Sequence, residues 1–315
     1  MRHLFVLLIT AVASVVCFAH KHVTVTNGQL WYDTKGNVVQ AHGGNFLYEK
    51  GTWYLVGEDR SNPYHPDVNL YSTRDFKKWK FCGKIIQNGV TTAELGTTRL
   101  IERPKLLHCK KTGKYVIWCH YEASDYSASE VGVFSADRIT GPYRLEWCGR
   151  PLGIKSRDCN VFVDDDGTAY FISTIEENRH LGLFRLSDDY LQPLECTVLM
   201  RDQRREAPAI ARVGDTYYML SSACTGWEPN QCMLSWSKSL TGGWSPLTPI
   251  GDKTAFDTQA SSIMLNSPLG EDGRGLYIGD RWKDPDLPQS KIIMFPIRLH
   301  DGTCDFEYKE NFLLK

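Results

Sequence analysis

The chain carries no excess of either charge: 36 basic residues face 37 acidic ones, a formal net charge of -1. Without a basic field nothing holds a phosphate backbone, which argues against a nucleic-acid partner. After the first twenty residues no run is long and apolar enough to span a bilayer, so no membrane partner is expected. Neither Cys-x-x-Cys nor His-Glu-x-x-His occurs, which removes sequence support for a zinc site, and neither a metal nor a cofactor is expected. No Asn-x-Ser/Thr acceptor is present, so N-glycosylation is not expected. Pro/Ser-rich linkers and charge blocks are also missing, and no helical periodicity runs beyond about two turns.

At the N-terminus Met1-Arg2-His3 precedes the apolar run Leu4 to Ala19, which ends in Cys17-Phe18-Ala19. A charged start, a medium apolar stretch and small residues before the break describe a secretory leader. Residues 1–19 are therefore expected to be cleaved, leaving a secreted, extracellular chain over 20–315. Of ten cysteines, Cys17 leaves with the leader and an odd number remains, scattered from Cys82 to Cys304. That scatter is unlike a small-domain disulfide framework. The one pairing it suggests is Cys224 with Cys232, across the loop Thr225 to Gln231. Asp164-Asp165-Asp166-Gly167 lacks the spacing and closing Glu of a calcium loop and reads as a turn. His20, N-terminal after cleavage, reads as a frayed end rather than a copper ligand.

What the chain does have is 26 Gly, 15 Tyr and 9 Trp, arranged as a weak internal repeat. A turn glycine followed by aromatic and aliphatic residues recurs five times, roughly fifty to sixty residues apart. The five are Gly51-Thr-Trp-Tyr-Leu-Val, Gly113-Lys-Tyr-Val-Ile-Trp, Gly167-Thr-Ala-Tyr-Phe-Ile, Gly214-Asp-Thr-Tyr-Tyr-Met-Leu and Gly275-Leu-Tyr-Ile. Each follows a short apolar strand, with residues that tolerate positive φ between them. A third strand and second turn close the unit, as in Leu234-Ser235-Trp236-Ser237 before Gly242-Gly243-Trp244. Five such units cannot bury their faces alone, but stacked radially they can. The expected architecture is an all-β, five-bladed β-propeller over 20–315, favoured over a two-sheet sandwich.

In a propeller the starts of the inner strands converge on one funnel. Those starts read His42-Gly43-Gly44, Glu102-Arg103-Pro104, Asp158-Cys159-Asn160, Glu206-Ala207-Pro208 and Gln259-Ala260-Ser261. Three carboxylates and an amide thus hold equivalent positions. Aromatic walls suit the C–H faces of sugars, and paired carboxylates are what glycoside hydrolysis needs.

With these residues the chain resembles glycoside hydrolase family 43, in its exo-β-1,3-galactanase branch. The resemblance is carried by Gln40-Ala41-His42-Gly43-Gly44 with Gly51 to Asp59, Glu102-Arg103-Pro104-Lys105 and Ser156-Arg157-Asp158-Cys159-Asn160. Arg205-Glu206-Ala207-Pro208, Thr225-Gly226-Trp227-Glu228-Pro229-Asn230 and Gly279-Asp280-Arg281-Trp282 complete it, from about residue 25 to 310. It implies an inverting, exo-acting hydrolase that releases galactose from the β-1,3-galactan main chain of arabinogalactan. Glu206 matches the general acid. The aspartate base of the first blade is absent, since Ala41-His42-Gly43 stands there. In this branch a glutamine matching Gln259 is proposed as base in its imidic-acid tautomer; alternatively Gln259 orients the water and Glu102 takes the proton. Glu102 also matches a group that binds the terminal galactose, and Asp158 matches the residue that holds and tunes the acid. Glu58, Tyr121, Thr225, Trp227 and Asn230 match substrate contacts. A polysaccharide or oligosaccharide is the expected partner of a monomer, with no appended carbohydrate-binding module. Two other outcomes stand beside this: a family 43 enzyme acting on arabinofuranosides or xylosides, and a secreted sugar-binding propeller without catalysis, which the missing aspartate would suit.

Overall fold

A computed structural model describes residues 23–62, 65–91, 99–265 and 272–314; the leader expected over 1–19 lies outside them. Five four-stranded antiparallel sheets follow one another along the chain. The first blade holds β2 (His42–Glu49), β3 (Thr52–Glu58), β4 (Val68–Thr73) and β5 (Lys80–Ile86), after β1 (Val23–Thr26). The second holds β6 (Leu100–His108), β7 (Tyr115–Glu122), β8 (Glu130–Ala136) and β9 (Arg144–Gly149). The third holds β10 (Ser156–Val163), β11 (Ala169–Ile175), β12 (His180–Leu186) and β13 (Pro193–Met200). The fourth holds β14 (Arg205–Val213), β15 (Thr216–Ala223), β16 (Cys232–Ser237) and β17 (Thr248–Ile250). The fifth holds β18 (Gln259–Leu265), β19 (Arg274–Arg281), β20 (Lys291–His300) and β21 (Thr303–Phe306), before β22 (Asn311–Leu314). The molecule is a five-bladed β-propeller.

Each repeated turn glycine opens the second strand of a blade or leads into it. In the first blade Lys50 and Gly51 form a two-residue hairpin with φ of 47° and 78°, the geometry whose twist matches the flanking strands. Strand alternation then sends successive side chains to opposite faces. Leu55 joins a core shared with the fifth blade, while Val56 joins one shared with the second. Three further cores lie between blades two and three, three and four, and four and five. Both faces of a central strand are therefore covered, which is why β7 is buried at every residue. The inner strands β2, β6, β10, β14 and β18 neighbour one another around the axis, and β18 closes onto β2. Among the described residues no strand is shared between the first and last blades. Instead β1 pairs antiparallel with β22, and both pack into the core between those two blades.

One irregularity repeats in all five blades. Near its start each inner strand slips register against its neighbour, between His42 and Asn45, Glu102 and Lys105, Ser156 and Cys159, Glu206 and Ala209, and Ala260 and Ser262. Gly43, Arg103 and Ala207 take φ of 62°, 51° and 49° there. Such bulges bend a strand and re-aim its side chains, and here they lie beside the candidate site.

Candidate active site

The bulged ends surround a pocket of about 400 Å³ lined by Glu58, Glu102, Asp158, Glu206, Gln259 and Trp227, with several residues that the sequence did not single out. All four residues expected to carry chemistry thus share one cavity, each from a different blade. The first blade contributes Glu58 from the end of β3, because the start of its inner strand, His42-Gly43-Gly44, has no acid to offer. Gly43 makes room for it: a β-carbon there would stand 2.4 Å from Glu58 Oε1.

Glu206 is almost fully buried. Gln259 Nε2 donates to its Oε1 at 2.9 Å, and Asp158 lies near enough for its charge to act on it. Burial, and then the Asp158 charge, push its pKa up to about 8, with Arg103 opposing. Asp158 Oδ2 in turn accepts from the backbone N–H of Ala207 at 2.9 Å, so it grips the bulge that carries Glu206. Gln259 is saturated. Its Nε2 also donates to Ser222 Oγ at 3.3 Å, and its Oε1 accepts from Arg103 Nη1 at 3.3 Å and Trp282 Nε1 at 3.0 Å. Two N–H donors on Oε1 fix which end of the amide is oxygen, and they suit the ordinary amide rather than a tautomer with a hydroxyl there.

Glu102 sits in the opposite electrostatic condition. Burial alone would raise its pKa, but His120 and Arg60 hold the carboxyl well below the usual range. Arg60 Nη2 stands 3.1 Å from Oε1, which also accepts from Tyr126 Oη at 2.9 Å, and His120 Nδ1 lies 3.1 Å from Oε2. His120 is itself held between two carboxylates, with Nε2 3.0 Å from Glu122 Oε2. Burial works against its charge, yet the pair raises it to about 9, so it is an imidazolium at neutral pH. Glu122 accepts the backbone N–H groups of Ala123, Ala128 and Ser129 as well, and despite burial it falls to about 2. Arg60 reaches back to Glu58, whose pKa burial raises. The Arg60 guanidinium also lies 5.0 Å from the Trp227 ring and 5.7 Å from that of Trp282. The two indoles meet edge to face at 4.9 Å, making an aromatic wall.

Three expectations need correction. Tyr121 does not reach the pocket. Its neighbours on β7, His120 and Glu122, join the site's hydrogen-bond network, so period two turns Tyr121 to the other face. It is fully buried there beside Phe134, with Arg99 over its ring. Thr225 and Asn230 do not line the pocket either. Asn230 binds both backbone groups of Ala223 and donates to Thr225 Oγ1 at 2.7 Å, which braces the loop presenting Trp227. Cys224 and Cys232 are both free: Cys232 is buried on β16, and Cys224 stands at the pocket wall beside Glu206, its thiol pushed up to about 12 by burial and the carboxylate. Sequence reading missed Arg60, His120 and Tyr126 as site residues. Arg103 and Trp282 lay inside strings already singled out, one residue from an acid and at the end of a strand.

Residues 23–263 match the model of the glycosyl hydrolases family 43. Among solved structures, an exo-β-1,3-galactanase from Clostridium thermocellum is 34% identical with a TM-score of 0.85, over 91% of this chain and 66% of its own. A Glu-to-Gln variant of exo-β-1,3-galactanase from Phanerochaete chrysosporium, solved with β-1,3-galactotriose, is 30% identical with a TM-score of 0.85, over 92% and 68%. The chain thus spans about two thirds of the length of these structures. A curated relative, an extracellular exo-α-(1→5)-L-arabinofuranosidase from Cellvibrio japonicus, is 25% identical over 79% of this chain and 77% of its own.

Proposed function

The chain belongs to glycosyl hydrolases family 43, and from that premise we propose that it is an exo-acting, inverting hydrolase releasing galactose from the ends of β-1,3-galactan. One observation carries the proposal: in a single pocket, one carboxyl is kept protonated near neutrality and another is kept ionised. That separation is what acid-assisted glycoside cleavage requires. The galactanase structures, at 30% identity and above, support galactan over arabinan, for which the 25% identical arabinofuranosidase speaks. Secretion by the N-terminal leader is part of the same proposal and would place the enzyme with its polysaccharide.

In this reading the terminal sugar stacks against Trp227 and Trp282, and its hydroxyls bond Glu102, Glu58 and Arg60. Glu206 gives its proton to the glycosidic oxygen as the bond to the anomeric carbon breaks. Water attacks from the other face, so the configuration inverts. Gln259, held as an amide with every polar atom engaged, keeps the Glu206 carboxyl in place, and the water's proton passes to Glu102. Two donors on Glu102, Arg60 and Tyr126, and the His120 charge beside it make it a weak base, so bond breaking runs well ahead of proton transfer, in keeping with an oxocarbenium-like transition state.

The test is a digest of purified β-1,3-galactan, with arabinan and xylan beside it, followed by identification of the released sugar and its anomer. Galactose alone, in inverted configuration, with Glu206→Gln reduced at least about a thousandfold, is the expected result. Arabinose release would move the enzyme to the second substrate. Oligosaccharide binding without cleavage would make it a sugar-binding propeller.

A further inference from the structure

Lys105 lies three residues beyond Glu102, just past the bulge of the second blade, and none of it is exposed. Its side chain crosses to two other blades. Nζ donates to the carbonyls of Gly43 and Gly44 in the first blade, the latter at 3.0 Å, and to Ser261 in the fifth at 2.9 Å. Ser261 Oγ donates to Gly44 O at 2.6 Å. From the third blade Asn160 Nδ2 donates to Pro208 O in the fourth, at 2.7 Å, and to Ser261 O at 3.0 Å. Two side chains therefore tie all five inner strands together at the level of the bulges. Contacts spanning that many blades are available only at the axis.

The bulges supply the acceptors. Where the ladder slips, carbonyls lose their cross-strand partners and are free to point inward. A ring of inward carbonyls is what proteins use to hold a bare cation. Here an ammonium has three N–H groups and meets three carbonyls, one for each. The other charged or titratable groups acting on it are Arg103, Cys159, Asp280 and Asp158; burial and Arg103 pull its pKa down to about 7, against which Cys159, the two aspartates and the three carbonyls favour the charged form.

We propose that the Lys105 ammonium is the axial cation of this ring, standing where a metal ion could otherwise bind, and that it positions Gln259 against Glu206. Ser261 is two residues from Gln259, and the intervening Ala260 carbonyl is gripped by Arg103 at 2.5 Å. Displacing Ser261 displaces Gln259. The first part stands independently of the enzyme's activity; the second rests on the hydrolase reading above.

Lys105→Met keeps the bulk and removes the donors, whereas Lys105→Ala opens a carbonyl-lined space. Both should lower Tm by about 10 °C. Potassium or methylammonium chloride should restore at least half of that loss in Lys105→Ala, whereas choline chloride at equal ionic strength, too large to enter, should not. Assayed well below Tm, kcat on galactan should fall about tenfold or more, and the alkaline limb of the pH profile should move as Gln259 relaxes from Glu206. Wild-type enzyme dialysed from calcium and potassium buffers should hold no stoichiometric metal and keep its Tm in EDTA. That last measurement decides the cation role even if neither variant folds: one bound metal per chain overturns it. An equal response to choline and potassium also overturns it. A Tm loss with unchanged kcat and pH profile overturns the positioning role, and a cation-restored Tm in an enzyme inactive on galactan would leave the axial cation standing and remove the substrate assignment.

Discussion

Glu206 holds its proton to about pH 8 because burial and the Asp158 charge both penalise its carboxylate. Activity should therefore fall with unit slope as pH rises through about 8. His120, at about 9, sets a second loss beyond it, when Glu102 gives up its charged partner. The same shift carries a stability consequence of definite sign. From pH 4.5 to 8 the folded state holds a proton on Glu206 that the unfolded state has released, so this group's contribution to stability declines through that window. Glu206→Gln cannot ionise. Its Tm should exceed that of the wild type by a margin that grows from pH 4.5 to 8 and stays flat above; thermal melts across that range read it out directly, and a margin independent of pH would contradict the assignment. Much of this site was legible: Glu102, Asp158, Glu206 and Gln259 occupy equivalent places in successive units, so the repeat itself aligned them. Arg60 and His120 were not legible. Each looks like an ordinary charged residue near a strand end, with one carboxylate two residues away, and the partner they share, Glu102, comes from another strand.

At the scale of elements, turns were easier to read than bulges. Gly51, Gly167 and Gly214 mark their hairpins because positive φ favours glycine. Arg103 and Ala207 adopt the same backbone region with nothing in their chemistry to announce it; only the surrounding ring imposes it. Tyr121 shows the same difficulty: the strand was readable, but which of its faces met the pocket was a matter of one residue. The loop from Thr225 to Gln231 is a small device of its own, with Asn230 as its internal brace and Trp227 as its working edge. Asn230→Ala removes three hydrogen bonds without touching the pocket wall. KM for galacto-oligosaccharides should rise about tenfold while kcat stays within about threefold. Steady-state kinetics on the released sugar checks this, and a fall in kcat with unchanged KM would place Asn230 in the chemistry instead.

For the whole molecule, the five cores between blades are separate, and only the core between the first and last depends on both ends of the chain. Phe312 of β22 is buried there with Val23 and Val25 of β1. Phe312→Ala should cost about 3 kcal/mol, a Tm drop of roughly 5–10 °C. Because the pocket is held by the inner strands, kcat at 25 °C should be unaffected; calorimetry paired with an assay separates the two. The pairing of Val23 with Leu314 also brings the two ends of the described chain within one strand spacing of each other. Joining them by a short linker and cutting the polypeptide at an exposed hairpin between other blades should yield a rearranged chain that still folds, with its new ends wherever the cut is made. A partner domain could then be hung from any side of the ring without disturbing the sugar pocket.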